Sequence, residues 1–143
     1  MEQQLGRTPI EPAYFHGYLM LPLLREGDEV VVEAVAPGAL RVGDVVTYRD
    51  ADRFPTRRIM AIHEHGQSLV IMGDSVQPRR TWLVASDDVL GRVARRGREG
   101  RWMTTRHWRW RWQRHKVVLR YRLGASRIGD SYRRVRGRPP RAV

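Results

Sequence analysis

Between Glu29 and Arg95 the chain sets short β-branched and apolar runs between turn-forming residues at intervals of about ten positions, a rhythm that long helices cannot follow. From Glu29 the run VVVEAV is closed by Pro37-Gly38, and Gly43-Asp44 opens Val45-Val46-Thr47-Tyr48. Arg57 to His65 reads RRIMAIHEH and Ser68 to Met72 follows across His65-Gly66-Gln67, the pattern of a hairpin. Gly73-Asp74-Ser75 ends that run, and Trp82 to Ala85 and Val89 to Arg95 supply two more short strands. The expected fold is therefore mainly β, a sandwich or partly closed barrel of short antiparallel strands, with no internal repeat.

Charge divides the same chain in two. Met1 to Arg92 carries ten basic and thirteen acidic residues, whereas Val93 to Val143 carries seventeen and two, so a net charge of −3 is followed by one of +15. With 143 residues there is one core and room for a tail. The absence of cysteine excludes disulfides, thiolate zinc sites and cysteine nucleophiles. No run approaches the roughly twenty apolar residues of a membrane span, and the opening MEQQLGRTP lacks a basic start and apolar centre. The expectation is a soluble, cytoplasmic chain with no transmembrane segment, touching a membrane at most peripherally. Its parts read as an extended lead-in over 1–13, where Pro9 and Pro12 disfavour helix, a β domain over 14–100, a Trp/Arg-rich segment over 101–124 and an Arg-rich, unstructured end over 125–143.

The stretch Phe15 to Asp28, FHGYLMLPLLREGD, carries the chemical interest. Gly17-Tyr18-Leu19-Met20-Leu21-Pro22 followed by Gly27-Asp28 resembles the nucleophile loop of the type I signal peptidase and LexA-like clan, Gly-x-Ser-Met-x-Pro and then Gly-Asp. Further landmarks follow in order. Leu40 to Tyr48 (LRVGDVVTY) is similar to the clan's strand entry, Arg57-Arg58-Ile59 stands where the clan has His-Arg or Lys-Arg, Gly73-Asp74-Ser75 resembles its Gly-Asp-Asn/Ser box, and Val89-Leu90-Gly91-Arg92-Val93 its closing strand. The resemblance spans Phe15 to about Arg95 and implies the clan's sandwich or partly closed barrel. Small members with an arginine-rich end are the most similar, and some of these accompany genes for ribosomally made, modified peptides, which implies an accessory role of that kind.

In active members a serine attacks the peptide carbonyl while lysine or histidine takes its proton. Here Leu19 fills the nucleophile slot, and an alkyl side chain has no lone pair. Arg57 fills the base slot, and a guanidinium with a pKa above about 12 stays protonated. The resemblance thus implies a catalytically inactive relative that binds a peptide or protein segment along a groove lined by Tyr18, Leu19, Met20 and Arg57, by strand addition. Asp28, Asp44, Arg58, Asp74 and Ser75 have structural or orienting roles in this reading, the aspartates through turns and Asp74 through an ion pair with Arg57. The rival readings are an active serine-type endopeptidase with atypical residues, such as Ser75 activated by His16 or His63, and an active enzyme in which Leu19 was introduced to trap substrate.

Two other constellations complete the sequence. His63 and His65, two apart on an expected strand, share a face as metal ligands do, but no third ligand is near and neither metal nor cofactor is expected. From Thr105 to Lys116 cations alternate with indoles, among them Trp108, Arg109, Trp110, Arg111, Trp112 and Arg114. Read as a helix starting at Thr104 or Thr105 and stopped by Gly124, the segment places Trp108, Trp112, Leu119 and Leu123 on one stripe. That stripe either docks on the domain, leaving arginines in water, or meets an anionic partner, nucleic acid or a membrane surface. Arg133, Arg134, Arg136, Arg138 and Arg141 would add salt-sensitive attraction.

Overall fold

A computed structural model describes residues 10–75 and 80–136, with side chains from 13 to 75 and from 80 to 124. Eight strands form one antiparallel sheet: β1 (Ile10–Tyr14), β2 (Glu29–Glu33), β3 (Val45–Tyr48), β4 (Thr56–His63), β5 (Ser68–Met72), β6 (Thr81–Ala85), β7 (Val89–Arg98) and β8 (Arg101–Thr104). Seven run in the order β1-β2-β7-β3-β4-β5-β6, curled into a half-barrel, and β8 folds back on β7. Among the described residues one α-helix, α1 (Trp108–Arg136), follows. The mainly β expectation with a C-terminal helix holds.

The hairpin of β4 and β5 forms as its sequence requires, Arg58 opposite Met72 and His63 opposite Ser68. The lead-in is more structured than expected. Its last residues form β1, opposite β2, with an irregularity between Ile10 and Ala13 where Pro12 sits, and proline in a sheet belongs on such an outer strand. Arg101–Thr104, assigned by sequence to a helical segment, instead pairs with β7 from Arg95 to Arg98. Gly124 does not end α1, whose backbone continues to Arg136. Arg138 and Arg141 lie outside the described residues.

Because successive strand residues point to opposite faces, the neighbours Val45 and Val46 belong to different cores. Val45 packs with Phe15, Met20, Leu23, Leu24, Val30, Val32, Val93 and Trp110. Val46 packs with Leu40, Tyr48, Ile59, Leu69, Ile71 and Val84. On the Val45 face, Met60 and Met72 meet Val117 of α1, with Val118 and Tyr121 partly buried beside them. The helix thus covers one face of the sheet.

Candidate functional site

The loop between β1 and β2 is pinned at both ends before it presents any side chain. Phe15 N–H donates to the Asp28 carbonyl at 2.8 Å and Gly27 N–H to the Phe15 carbonyl at 2.8 Å, closing the loop like a clasp. Inside it Met20, Leu23 and Leu24 are buried in the Val45-face core. Two arginines of β7 hold it from outside: Arg96 donates to the Leu23 carbonyl at 2.6 Å, and Arg98 forks onto Asp28 at 2.8 and 2.7 Å. Asp28 also accepts from the Arg25 amide at 2.7 Å. Burial pushes its carboxyl up, but the Arg98 fork and the Arg25 amide outweigh this and hold it below the usual carboxylate value. Asp44 accepts from the Arg41 amide at 2.8 Å, so two of the three Gly-Asp pairs form the expected side-chain turns, whereas the Asp74 carboxylate goes to Arg58.

Leu19 lies at the top of the loop and is half-buried. Its carbonyl accepts from the Ser75 amide at 2.9 Å, so the nucleophile-like slot and the Gly73-Asp74-Ser75 turn do come together. The approach needs a glycine. A Cβ on Gly73 would stand 2.3 Å from the Leu19 carbonyl oxygen.

Beside this contact is a buried polar cluster. Arg58 and Asp74 are fully buried and form a two-point ion pair at 2.7 Å each, while Arg58 Nη1 donates to the Gly43 carbonyl at 2.7 Å. Helix α1 completes it: Gln113 Nε2 donates to Asp74 Oδ2 at 3.4 Å and Arg120 to the Asp74 carbonyl at 3.0 Å. The sequence expectation assigned Asp74 to Arg57, and alternation along β4 is why it was wrong. Arg57 pairs with Val46 and shares that residue's face, away from Asp74.

There Arg57 lies over the Trp82 ring, 5.4 Å from its centroid, and donates to the Thr56 carbonyl at 2.6 Å. Its Nε is buried without a hydrogen-bond partner. Burial lowers its pKa and pushes the neighbouring Tyr48 hydroxyl up to about 12. The groove expected from Tyr18, Leu19, Met20 and Arg57 is therefore not assembled: Met20 is core and Arg57 lies on the far side of the sheet. Tyr18 and Leu21 of the loop are exposed, as is Tyr14 of β1.

His16 is on the surface, its Nδ1 2.9 Å from Glu26, which also accepts from the Gly17 amide. His63 sits five residues from Arg58 toward the far end of the β4–β5 hairpin, about 17 Å of strand, whereas Ser75 follows Met72 at the near end. His65 is in a 3-10 turn with φ +55°, not on the strand with His63, and among the described residues no three ligating side chains converge on a metal.

Helix α1 docks through a different stripe from the one its hydrophobicity picks out. Trp110, Gln113 and Val117 face the sheet, with Trp110 only 3% exposed and so withdrawn from any anionic partner. Trp108, Trp112, Leu119 and Leu123 are 66%, 61%, 45% and 76% exposed. Arg114 folds back to the Val42 carbonyl at 2.8 Å. No helix among the described residues is long and apolar enough to cross a membrane. Comparison with known proteins finds no matching family model, no matching curated protein and no matching solved structure.

Proposed function

We propose that this chain is a non-catalytic member of the signal peptidase and LexA-like clan that holds an extended peptide or protein segment without cutting it. The observation that carries the reading is the seating of Leu19: a loop with the clan's spacing is braced against Gly73-Asp74-Ser75, yet presents hydrocarbon where attack on a carbonyl would start. Strand addition needs main-chain groups and flanking side chains rather than a nucleophile. β1 is an outer strand of the sheet that runs directly into this loop, and Tyr14 on the strand and Tyr18 and Leu21 on the loop are exposed. Pro12 lacks a main-chain donor, and with Ala13 and Phe15 turned toward β2 the main-chain groups of Tyr14, beside the loop, are left for pairing.

Selection of peptides from a random displayed library on the immobilised chain, with mass spectrometry of what is retained, tests this. Retained peptides are expected intact, weakened several-fold by Tyr14→Ala with Tyr18→Ala and lost on N-methylation of their alternate amides. Metal-independent cleavage by the native chain would overturn the non-catalytic half of the reading. Binding indifferent to both changes would overturn the strand-addition half.

A further inference from the structure

The outward face of α1 combines features that its docked face does not explain. Trp108, Trp112, Leu119 and Leu123 recur at helical spacing opposite Trp110, Gln113 and Val117, so one straight apolar stripe points away from the domain. Arg109, Arg111, Lys116 and Arg122 flank it, and from Trp108 to Leu123 the helix has no acidic residue. Along one flank lies an open groove of about 720 Å³, lined by Val42, Arg111, Arg114, His115 and Arg122 beside the two exposed indoles. No carboxylate lines that groove.

We propose that this face of α1 is a docking surface for an anionic phospholipid bilayer. The helix lies in the plane of the interface, Trp108 and Trp112 sit at headgroup depth, and Leu119 and Leu123 reach the acyl boundary. Headgroup phosphates are taken by Arg111, Arg114 and Arg122 in the groove. The aliphatic members of the stripe select this occupant over nucleic acid. Indoles stack on bases and arginines pair with phosphates in either case, but a leucine side chain offers no flat π face for stacking, while two leucines on a flat helical face bury readily in lipid. Because the opposite face of the helix is already held by the sheet, the surface is presented ready-made. It uses none of the residues of the Leu19 loop and does not depend on the peptide-holding reading.

Co-sedimentation of the full chain with vesicles of phosphatidylcholine alone, or mixed with phosphatidylglycerol, at about 0.15 M salt provides the test, run beside duplex DNA and single-stranded RNA. Binding to the anionic vesicles is expected to exceed that to neutral ones by at least about tenfold, with a blue shift of tryptophan emission. Leu119→Ser with Leu123→Ser, both on the solvent side, should leave the fold intact by circular dichroism and lower vesicle binding about tenfold. Trp108→Ala with Trp112→Ala should lower it similarly and remove the blue shift. The proposal fails if the leucine variant binds anionic vesicles as well as the native chain does. It also fails if nucleic acid is bound and vesicles are not, or if the same substitutions only dissolve a dimer of the chain.

Discussion

Arg57 and Arg58 are adjacent on β4 and inhabit opposite environments. Arg58 has a carboxylate in front of it, a carbonyl behind it and a helix closed over the pair, so its donors are used within the fold. Arg57 has a tryptophan face, one neighbouring carbonyl and a buried Nε with no acceptor. A one-residue step on a strand reverses the face, and with it whether a guanidinium is a keystone or a half-satisfied passenger. The satisfied buried polar contacts lie on the Val45 face, where the Leu19 loop, the Asp74 turn and α1 meet.

Substitutions should split along that line. Arg58→Met alone leaves a buried, unpaired Asp74 carboxylate and is expected to cost about 3–5 kcal/mol in urea unfolding, with Arg58→Met/Asp74→Leu recovering part of the loss. A full-sized effect from Arg57→Met instead would invert the comparison. Gly73→Ala forces a methyl against the Leu19 carbonyl, which no rotamer can move, for an expected loss of about 1–3 kcal/mol by the same measurement. Asp28→Asn tests the loop's second brace. Since the folded carboxyl lies below its ordinary 3.8, its contribution is present above that pH and lost as pH falls through the folded value. The native chain should exceed the variant by about 1–2 kcal/mol near neutrality, with the two converging below about pH 4. Arg57→Met removes an orphaned donor together with a cation–π contact, and these should nearly cancel, within about 1 kcal/mol of the native chain.

Much of the sheet could be read directly. Val45–Tyr48 and Ser68–Met72 stand where their β-branched runs and glycine boundaries put them, because each is short, apolar and bounded by residues that cannot continue a strand. β1 was hidden by Pro12, which argues against a central strand but not against an outer one. β8 was hidden by its place in a cationic stretch whose composition resembles a helix. At the site, Leu19, Asp28, Asp74 and Ser75 were legible through motif spacing. The partner of Asp74 was not, since proximity in sequence does not reveal which way a side chain points. Least legible was the docked stripe of α1. Summed hydrophobicity favours Trp108, Trp112, Leu119 and Leu123, but the turn after β5 presents the carboxylate and carbonyl of Asp74, which need donors. Gln113 and Arg120 supply them at Asp74, so the more polar stripe goes inward.

The closure of α1 over Asp74 also bears on synthesis. All of the described strands precede Trp110, Gln113 and Val117 in the chain, so a nascent sheet carries Met60, Met72 and a charged pair open to water until α1 arrives. A chain truncated ahead of Trp108 should stay in that unfinished condition and be digested by added protease far faster than the full-length form.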